Sequence, residues 1–251
     1  MRLHYFSSGP RERVLDAVLH AGYEIAGVYV SDPVRWPKVA PTVQIAERRR
    51  IPVRIVRRAD LPALGCQLAG QTCLSVGFAL IFPPTFLDRV GCCLNVHGTL
   101  LPNYPGARTL NWIIEQGEQE SGVTVHLVDA GVDSGPILLQ RSFPISHFDT
   151  GRSLTRKTLA FEPQVVVDAL AFFALLGAQA ARPQRIAEAK RFPDRVPAHS
   201  QIDPSRPLAA LYNQIRAADP DLYPAFFWMD GEKVCVRMWR PLKPAGEEDM
   251  V

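Results

Sequence analysis

Arg2-Leu3-His4-Tyr5-Phe6 leads through Ser7-Ser8-Gly9-Pro10 into Arg11 to Ala21, and Glu24-Ile25-Ala26-Gly27-Val28-Tyr29-Val30 follows. In the middle piece Val14, Leu15, Val18 and Leu19 recur at helical spacing, while the outer pieces are short β-like runs closed by turn residues. The stretch therefore reads as strand, helix, strand. That is the unit from which parallel sheets are built, because parallel neighbours need a long crossover connection.

The same alternation continues outward. β-like runs at 52–56, 72–77, 91–95, 122–128 and 136–144 are interleaved with a helical pattern over 41–49 and another near 107–117. The pattern predicts an α/β fold, a sheet flanked by helices and built from parallel crossovers. From Thr150 to about Ala181 apolar residues fill most turns of a long helix, capped at Asp149-Thr150 and expected to lie across the sheet. Arg182 to Pro204 carries prolines at 183, 193, 197 and 204 among charges and reads as a linker. Leu208 to Ala218 is an amphipathic helix, and Ala225–Met229 with Lys233–Trp239 reads as a hairpin turned at Asp230-Gly231. The predicted division is a main domain over 1–181, a linker over 182–204, a small helix-hairpin appendage over 205–243 packed on the main domain, and a frayed tail over 244–251.

Composition sets the outer limits. The chain has 251 residues, 47% hydrophobic and 21% charged, as a globular protein has. Its longest apolar run, Val165 to Leu176, is interrupted by Asp168 and falls short of the ~18 residues a membrane span needs. Met1 to Phe6 is too brief for an export signal, so no membrane partner and a cytoplasmic location are expected. The five cysteines, Cys66, Cys73, Cys92, Cys93 and Cys235, show no CxxC spacing, which argues against a disulfide framework and a zinc site. A net charge of +3 does not by itself call for a polyanionic partner. The run Arg48-Arg49-Arg50, with Arg54, Arg57 and Arg58 nearby, reads as a solvated helix end.

Two further stretches carry the chemistry. The first, at the end of the fifth β-like run, is Asn95-Val96-His97-Gly98-Thr99-Leu100-Leu101-Pro102-Asn103-Tyr104-Pro105-Gly106; the second is Ser121 to Ile137, which contains Gly131-Val132-Asp133-Ser134-Gly135. Asn95 and His97 alternate on an extended chain, so both side chains leave the same face. They sit at the carboxyl end of a predicted parallel strand, where open α/β sheets place ligands. An amide and an imidazole side by side can hold an oxyanion. A carboxylate beside an imidazole favours the protonated ring and can relay a proton through water. Asp133 is suited to present that carboxylate from a turn with glycine at both ends. Taken singly, each of the three is more often a turn or core residue than a catalytic one.

Asn95 to Gly106 resembles the Asn-x-His-x-Ser-Leu-Leu-Pro-x-x-x-Gly motif of the 10-formyltetrahydrofolate-dependent formyltransferases. Gly122 to Gly135 is similar to their second motif, Gly-Val-Thr-x-His followed by Asp-x-Gly, and the likeness extends over residues 1 to about 178. The resemblance implies a Rossmann-like, mostly parallel sheet and a formyl transfer from 10-formyltetrahydrofolate to an amine without a metal. It matches Asn95, His97 and Asp133 to the catalytic trio. It implies a folate pocket formed by Gly77, Phe78, Ala79, Ile81 and Pro83, by Leu100 and Pro102, and by Val128, Asp129, Ala130, Gly131 and Val132. Tyr104, Gly106 and Arg108 are implied on the acceptor side. Gly98, Thr99 and Pro105 depart from the commoner residues of the motif, which bears on the acceptor rather than on the trio.

For the acceptor, the segment Ser31 to Pro41 offers only Arg35 and Lys38, less than the extended basic surface tRNA binding needs. The region Leu208 to Arg240 weakly resembles the start of the C-terminal domain of methionyl-tRNA and aminosugar formyltransferases. The expectation is a small-molecule amine, a nucleotide-linked aminodeoxysugar with its diphosphate near Arg108, and no nucleic-acid partner. Hydroxyornithine and methionyl-tRNA are the alternative acceptors, and a formyltetrahydrofolate hydrolase or a catalytically silent folate-binding domain the alternative classes. A homodimer is compatible with all of these.

Overall fold

The structure is a computed structural model that describes residues 1–245. Strand β1 (Arg2–Ser7) is buried from Leu3 onward. It feeds helix α1 (Glu12–His20), which turns Val14, Leu15 and Val18 onto the sheet, and the chain returns as β2 (Glu24–Val30). Helix α2 (Ala40–Arg48) and the short β3 (Val53–Ile55) complete one flank. Helix α3 (Leu61–Gln67) then leads to β4 (Thr72–Val76), α4 (Pro84–Leu87), β5 (Cys92–His97) and α5 (Leu110–Glu115). Strands β6 (Glu120–Leu127) and β7 (Ile137–Pro144) close the other flank, and the long α6 (Gly151–Leu176) follows.

The seven strands form one sheet in the order β3-β2-β1-β4-β5-β6-β7. β1 to β5 pair in parallel, as the alternation predicts, whereas β5–β6 and β6–β7 are antiparallel. The sheet is thus mostly parallel, with two reversed strands on one flank. Strand order reverses between β1 and β4, which opens a crevice at their carboxyl ends. Two hydrogen bonds join the loops there: the Ser8 amide to the Gly77 carbonyl (3.1 Å), and the Ala79 amide to Ser8 Oγ (2.8 Å).

One sheet face packs Leu3, Tyr5, Leu74, Val76, Leu94 and Val96 against α1 and α6. The opposite face packs Phe6, Cys73 and Cys93 against Leu61, Leu64, Phe82 and Phe86. Short helices α3 and α4 escape a periodicity search because Pro62 and Gly65 interrupt the first and the second is a single turn. A side chain at Gly65 would come within 2.9 Å of the Phe86 backbone, so the glycine is what lets the two approach.

Helix α6 begins as predicted, with Thr150 as its cap accepting from the Ser153 amide. It ends at Leu176 rather than near Ala181, because Gly177 takes a φ of +70°. By length and composition α6 could cross a membrane, a match the apolar-run reading does not anticipate. In this fold it lays Leu154, Val165, Val166, Ala169 and Leu170 against the protein interior instead.

Residues 182–204 are not a free tether. Arg182 exchanges two backbone hydrogen bonds with Ile137, and Arg195 is fully buried over the Trp112 ring with Glu115 as its ion-pair partner. Proline and charge exclude regular structure here, but they leave donors and acceptors free to bind the domain surface. Helix α7 (Leu208–Ala217) and the hairpin β8 (Ala225–Met229) and β9 (Glu232–Val236) follow. The Asn111 side chain meets the Ala217 carbonyl, and Arg152 pairs with Asp219 at 2.7 Å, so this region is fastened to α5 and α6. β9 stops at Val236 rather than Trp239. Most of the tail predicted to fray, 246–251, lies outside the described residues.

Candidate active site

β5 delivers Asn95 and His97 to the carboxyl edge of the sheet, and the loop between β6 and β7 brings Asp133 over them. Asn95 Nδ2 donates to Asp133 Oδ1 at 3.2 Å, and His97 Nδ1 lies 3.3 Å from Asp133 Oδ2. Two side chains of one strand therefore converge on a carboxylate up to 38 positions away.

The amide of Asn95 is oriented by its strand neighbours. Ser75 on β4 and His126 on β6 are its register partners. The Ser75 hydroxyl donates to Asn95 Oδ1 (2.8 Å), which turns Nδ2 toward His126 Nε2 (3.1 Å) and Asp133. His126 Nδ1 in turn donates to the Leu127 carbonyl at 2.8 Å, and Nε2 faces both Asn95 Nδ2 and Asp133 Oδ1 (3.5 Å), accepting from the amide in the neutral ring and donating to the carboxylate in the protonated one. Nothing in the local sequence marks Ser75 for this role, whereas His126 lies inside the second motif.

His97 Nε2 donates to the Tyr104 carbonyl at 2.9 Å. Both ring nitrogens thus face oxygen, and the ring pairs ionically with Asp133 when protonated. Asp133 has 14% of its side chain exposed. Burial alone would raise its carboxyl, but the facing His97 and His126 rings and the Gly106 amide, which donates at 2.8 Å, outweigh it and hold the carboxyl well below the usual range. The residue adopts a left-handed φ of +50°. There is no room for a side chain at Gly135, where a Cβ would stand 1.9 Å from the Leu127 carbonyl oxygen.

The loop over the site, 98–108, is held from below. The Thr99 hydroxyl donates to the carbonyls of Asn103 (3.0 Å) and Tyr104 (3.3 Å), so threonine supplies the hydroxyl that serine supplies more commonly in the motif. A Cβ at Gly98 would lie 3.0 Å from Thr158 on α6, which accounts for glycine where the motif commonly carries a larger residue. Tyr104 differs from its expected role. Its ring is buried against Phe192, its hydroxyl donates to Glu118 (2.6 Å), and it offers the site its backbone carbonyl only. Gly106 contributes its amide, and Arg108, two residues on, is exposed with φ +57° and no ion-pair partner among the described residues.

The residues expected to form a folate pocket flank the same crevice. Phe78 is partly buried against Phe6 and Phe82, while Gly77 and Ala79 stand at the open edge. Ile81 (63% exposed) and Val132 (52% exposed) present apolar surface from the two loops. Leu100, Pro102 and Val128 are partly covered, and Pro83 precedes α4. Asp129, Ala130 and Gly131 lie on the exposed crest, where Asp129 Oδ1 accepts from the Gly131 amide (3.0 Å) and Ser134 Oγ (2.7 Å). Open apolar lips beside a polar trio fit a flat, partly apolar cosubstrate. Among the described residues, no group of three or more His, Cys, Asp or Glu side chains is placed to hold a metal ion.

The fold is thus that of an α/β protein with a polar trio beside an apolar crevice at the point where strand order reverses. Residues 29–170 match the family model described as formyl transferase. Over 250 residues the chain is 32% identical to the methionyl-tRNA formyltransferase of Thermosynechococcus vestitus, covering 95% of this chain and 72% of that protein. In fold it is similar to a sugar N-formyltransferase from Shewanella sp., with a TM-score of 0.73, 20% identity, and coverage of 97% and 99% of the two chains. It is also similar to WlaRD, a sugar 3-N-formyltransferase solved in the presence of dTDP and 5-N-formyltetrahydrofolate (TM-score 0.67, 20% identity, coverage 86% and 78%). The chain belongs to the formyl transferase family, and it is an N-formyltransferase that uses formyltetrahydrofolate.

Proposed function

We propose that Asn95, His97 and Asp133 carry the formyl transfer, and that the acceptor is the amino group of a small molecule, a nucleotide-linked aminodeoxysugar. The observation that carries the catalytic reading is the convergence of Asn95 Nδ2 and His97 Nδ1 on the Asp133 carboxylate. The folate supplies the formyl group and a nitrogen that leaves with the bonding pair. The loops carrying Phe78 to Pro83 and Val128 to Val132, with Leu100 and Pro102, would hold it.

Asn95, with the His97 ring beside it, acts where negative charge gathers on the formyl oxygen as the amine attacks. Of the two bonds made by Asn95 Nδ2, the one to Asp133 is the longer, and it is the one a formyl oxygen takes over. Asp133, held as a carboxylate by its neighbours, accepts the proton that the amine loses, and His97 keeps that carboxylate aimed. The amine ends as a formamide, and the departing nitrogen of tetrahydrofolate takes up a proton. No metal enters this account.

Support for a small acceptor is of two kinds. Arg108 is an exposed cation two residues past the Gly106 amide that grips Asp133, suited to a diphosphate. The fold likeness to a sugar N-formyltransferase extends over 97% of the chain. A second reading, methionyl-tRNA, is favoured by the 32% identity to a methionyl-tRNA formyltransferase. The deciding experiment compares kcat/KM for nucleotide aminosugars, hydroxyornithine and charged initiator tRNA at one salt concentration. A clear preference for the tRNA overturns the first reading and establishes the second.

A further inference from the structure

We infer that Gln184 is a positioning residue of the active site, holding Asp133 in its strained turn from outside the sheet; the assignment rests on the reading of the trio given above. The Gln184 side-chain amide donates to the Asp133 carbonyl at 2.9 Å and to the Gly135 carbonyl at 2.6 Å. These two bonds use both hydrogens of Nε2 and bracket the turn that presents the carboxylate. Asp133 has φ +50°, a conformation that costs a non-glycine residue energy and persists only when its surroundings impose it. On the carboxylate side the Gly106 amide holds the same residue. Asp133 is thus gripped at both its main chain and its side chain.

How Gln184 arrives is visible in the backbone. Arg182 and Ile137 exchange hydrogen bonds of 2.7 and 2.8 Å, which lays residues 182–184 along the start of β7, next to the turn. Six residues further on the same segment reaches the other half of the site. The Lys190 amide donates to Asn103 Oδ1 (3.0 Å), and the Lys190 carbonyl accepts from the Tyr104 amide (2.8 Å). The Tyr104 carbonyl is the one that receives His97 Nε2–H. One strap, 184–190, therefore ties the Asp133 turn to the loop that orients His97.

The test compares Gln184→Ala, Gln184→Glu and wild type in the full chain. Glutamate keeps the length of the side chain but, as a carboxylate, places acceptors against two carbonyls. We expect kcat to fall by on the order of tenfold to a hundredfold in both variants, since a displacement of about 1 Å at a reacting group costs that much. The KM for 10-formyltetrahydrofolate should stay within about threefold, because the lip from Phe78 to Pro83, with Leu100 and Pro102, makes no contact with Gln184. The acid limb of the kcat profile should move to higher pH. Asp133 is faced by His97 from β5 and His126 from β6, and a displaced carboxyl loses part of their pull. Arg185→Ala, one residue along with an exposed side chain, should match wild type. The inference is overturned if kcat of both variants stays within about twofold of wild type, or if its loss follows the folded fraction with the acid limb unmoved. His97→Ala is measured alongside. If it retains wild-type turnover, the reading of the trio has failed; if it is inactive while both Gln184 variants are normal, only the Gln184 assignment has.

Discussion

Ser75, Asn95 and His126 stand side by side on three adjacent strands, and the order of donation along that row decides which end of the Asn95 amide meets the substrate. Ser75→Ala removes the donor that fixes Asn95 Oδ1. Turnover should then fall by about tenfold while stability drops by no more than about 1–2 kcal/mol, a difference read by steady-state kinetics beside chemical denaturation. Asp133 makes a separate prediction. Its carboxyl lies below the ordinary value of 3.8, so its contribution to stability is complete above that value and is lost as pH falls through the depressed one. The stability of wild type relative to Asp133→Asn should decline as pH falls below the ordinary carboxylate range. A difference that declines already between pH 7 and 5 would contradict the ion-pair geometry. At this scale the sequence shows Asn95 and His97 through their alternation. Ser75 and Gln184 are 20 and 51 positions from the atoms they hold, and nothing in their local surroundings marks them.

Strands are the most legible elements, because runs such as Thr72–Val76 are apolar on both faces and bounded by turn residues. Direction is not legible in the same way. Periodicity is the same for a parallel and an antiparallel strand, so the reversal of β6 and β7 follows only from the connections. The attachment of segment 182–204 is not legible either, since proline and charge mark a linker whether or not the chain is bound down. Arg195 shows that it is bound: the side chain is fully buried, stacked over Trp112 and paired with Glu115. Removing one partner of a buried pair leaves the other uncompensated. Arg195→Ala should therefore destabilise the protein by about 3 kcal/mol, measured by denaturant unfolding, whereas a loss under about 0.5 kcal/mol would show a weak attachment.

For the whole molecule the open question of the acceptor has a physical signature. Binding through many phosphates releases counterions, and its affinity falls steeply with salt. With a nucleotide-linked aminosugar and few phosphate contacts, kcat/KM should fall by less than about tenfold between about 50 and 200 mM salt. A fall of about a thousandfold or more would indicate an extended nucleic-acid surface.

Whether Asn95, His97 and Asp133 form the transferring centre can be read from a single assay. Formation of tetrahydrofolate from 10-formyltetrahydrofolate is followed with the best acceptor of the panel, for wild type, His97→Ala and Asp133→Asn, each shown to be folded and each assayed with a chelator present. Wild-type turnover should be insensitive to the chelator, and each variant should lose at least about a hundredfold. Near wild-type turnover in either folded variant, or a wild-type rate that collapses with the chelator and returns with added metal, would contradict that assignment.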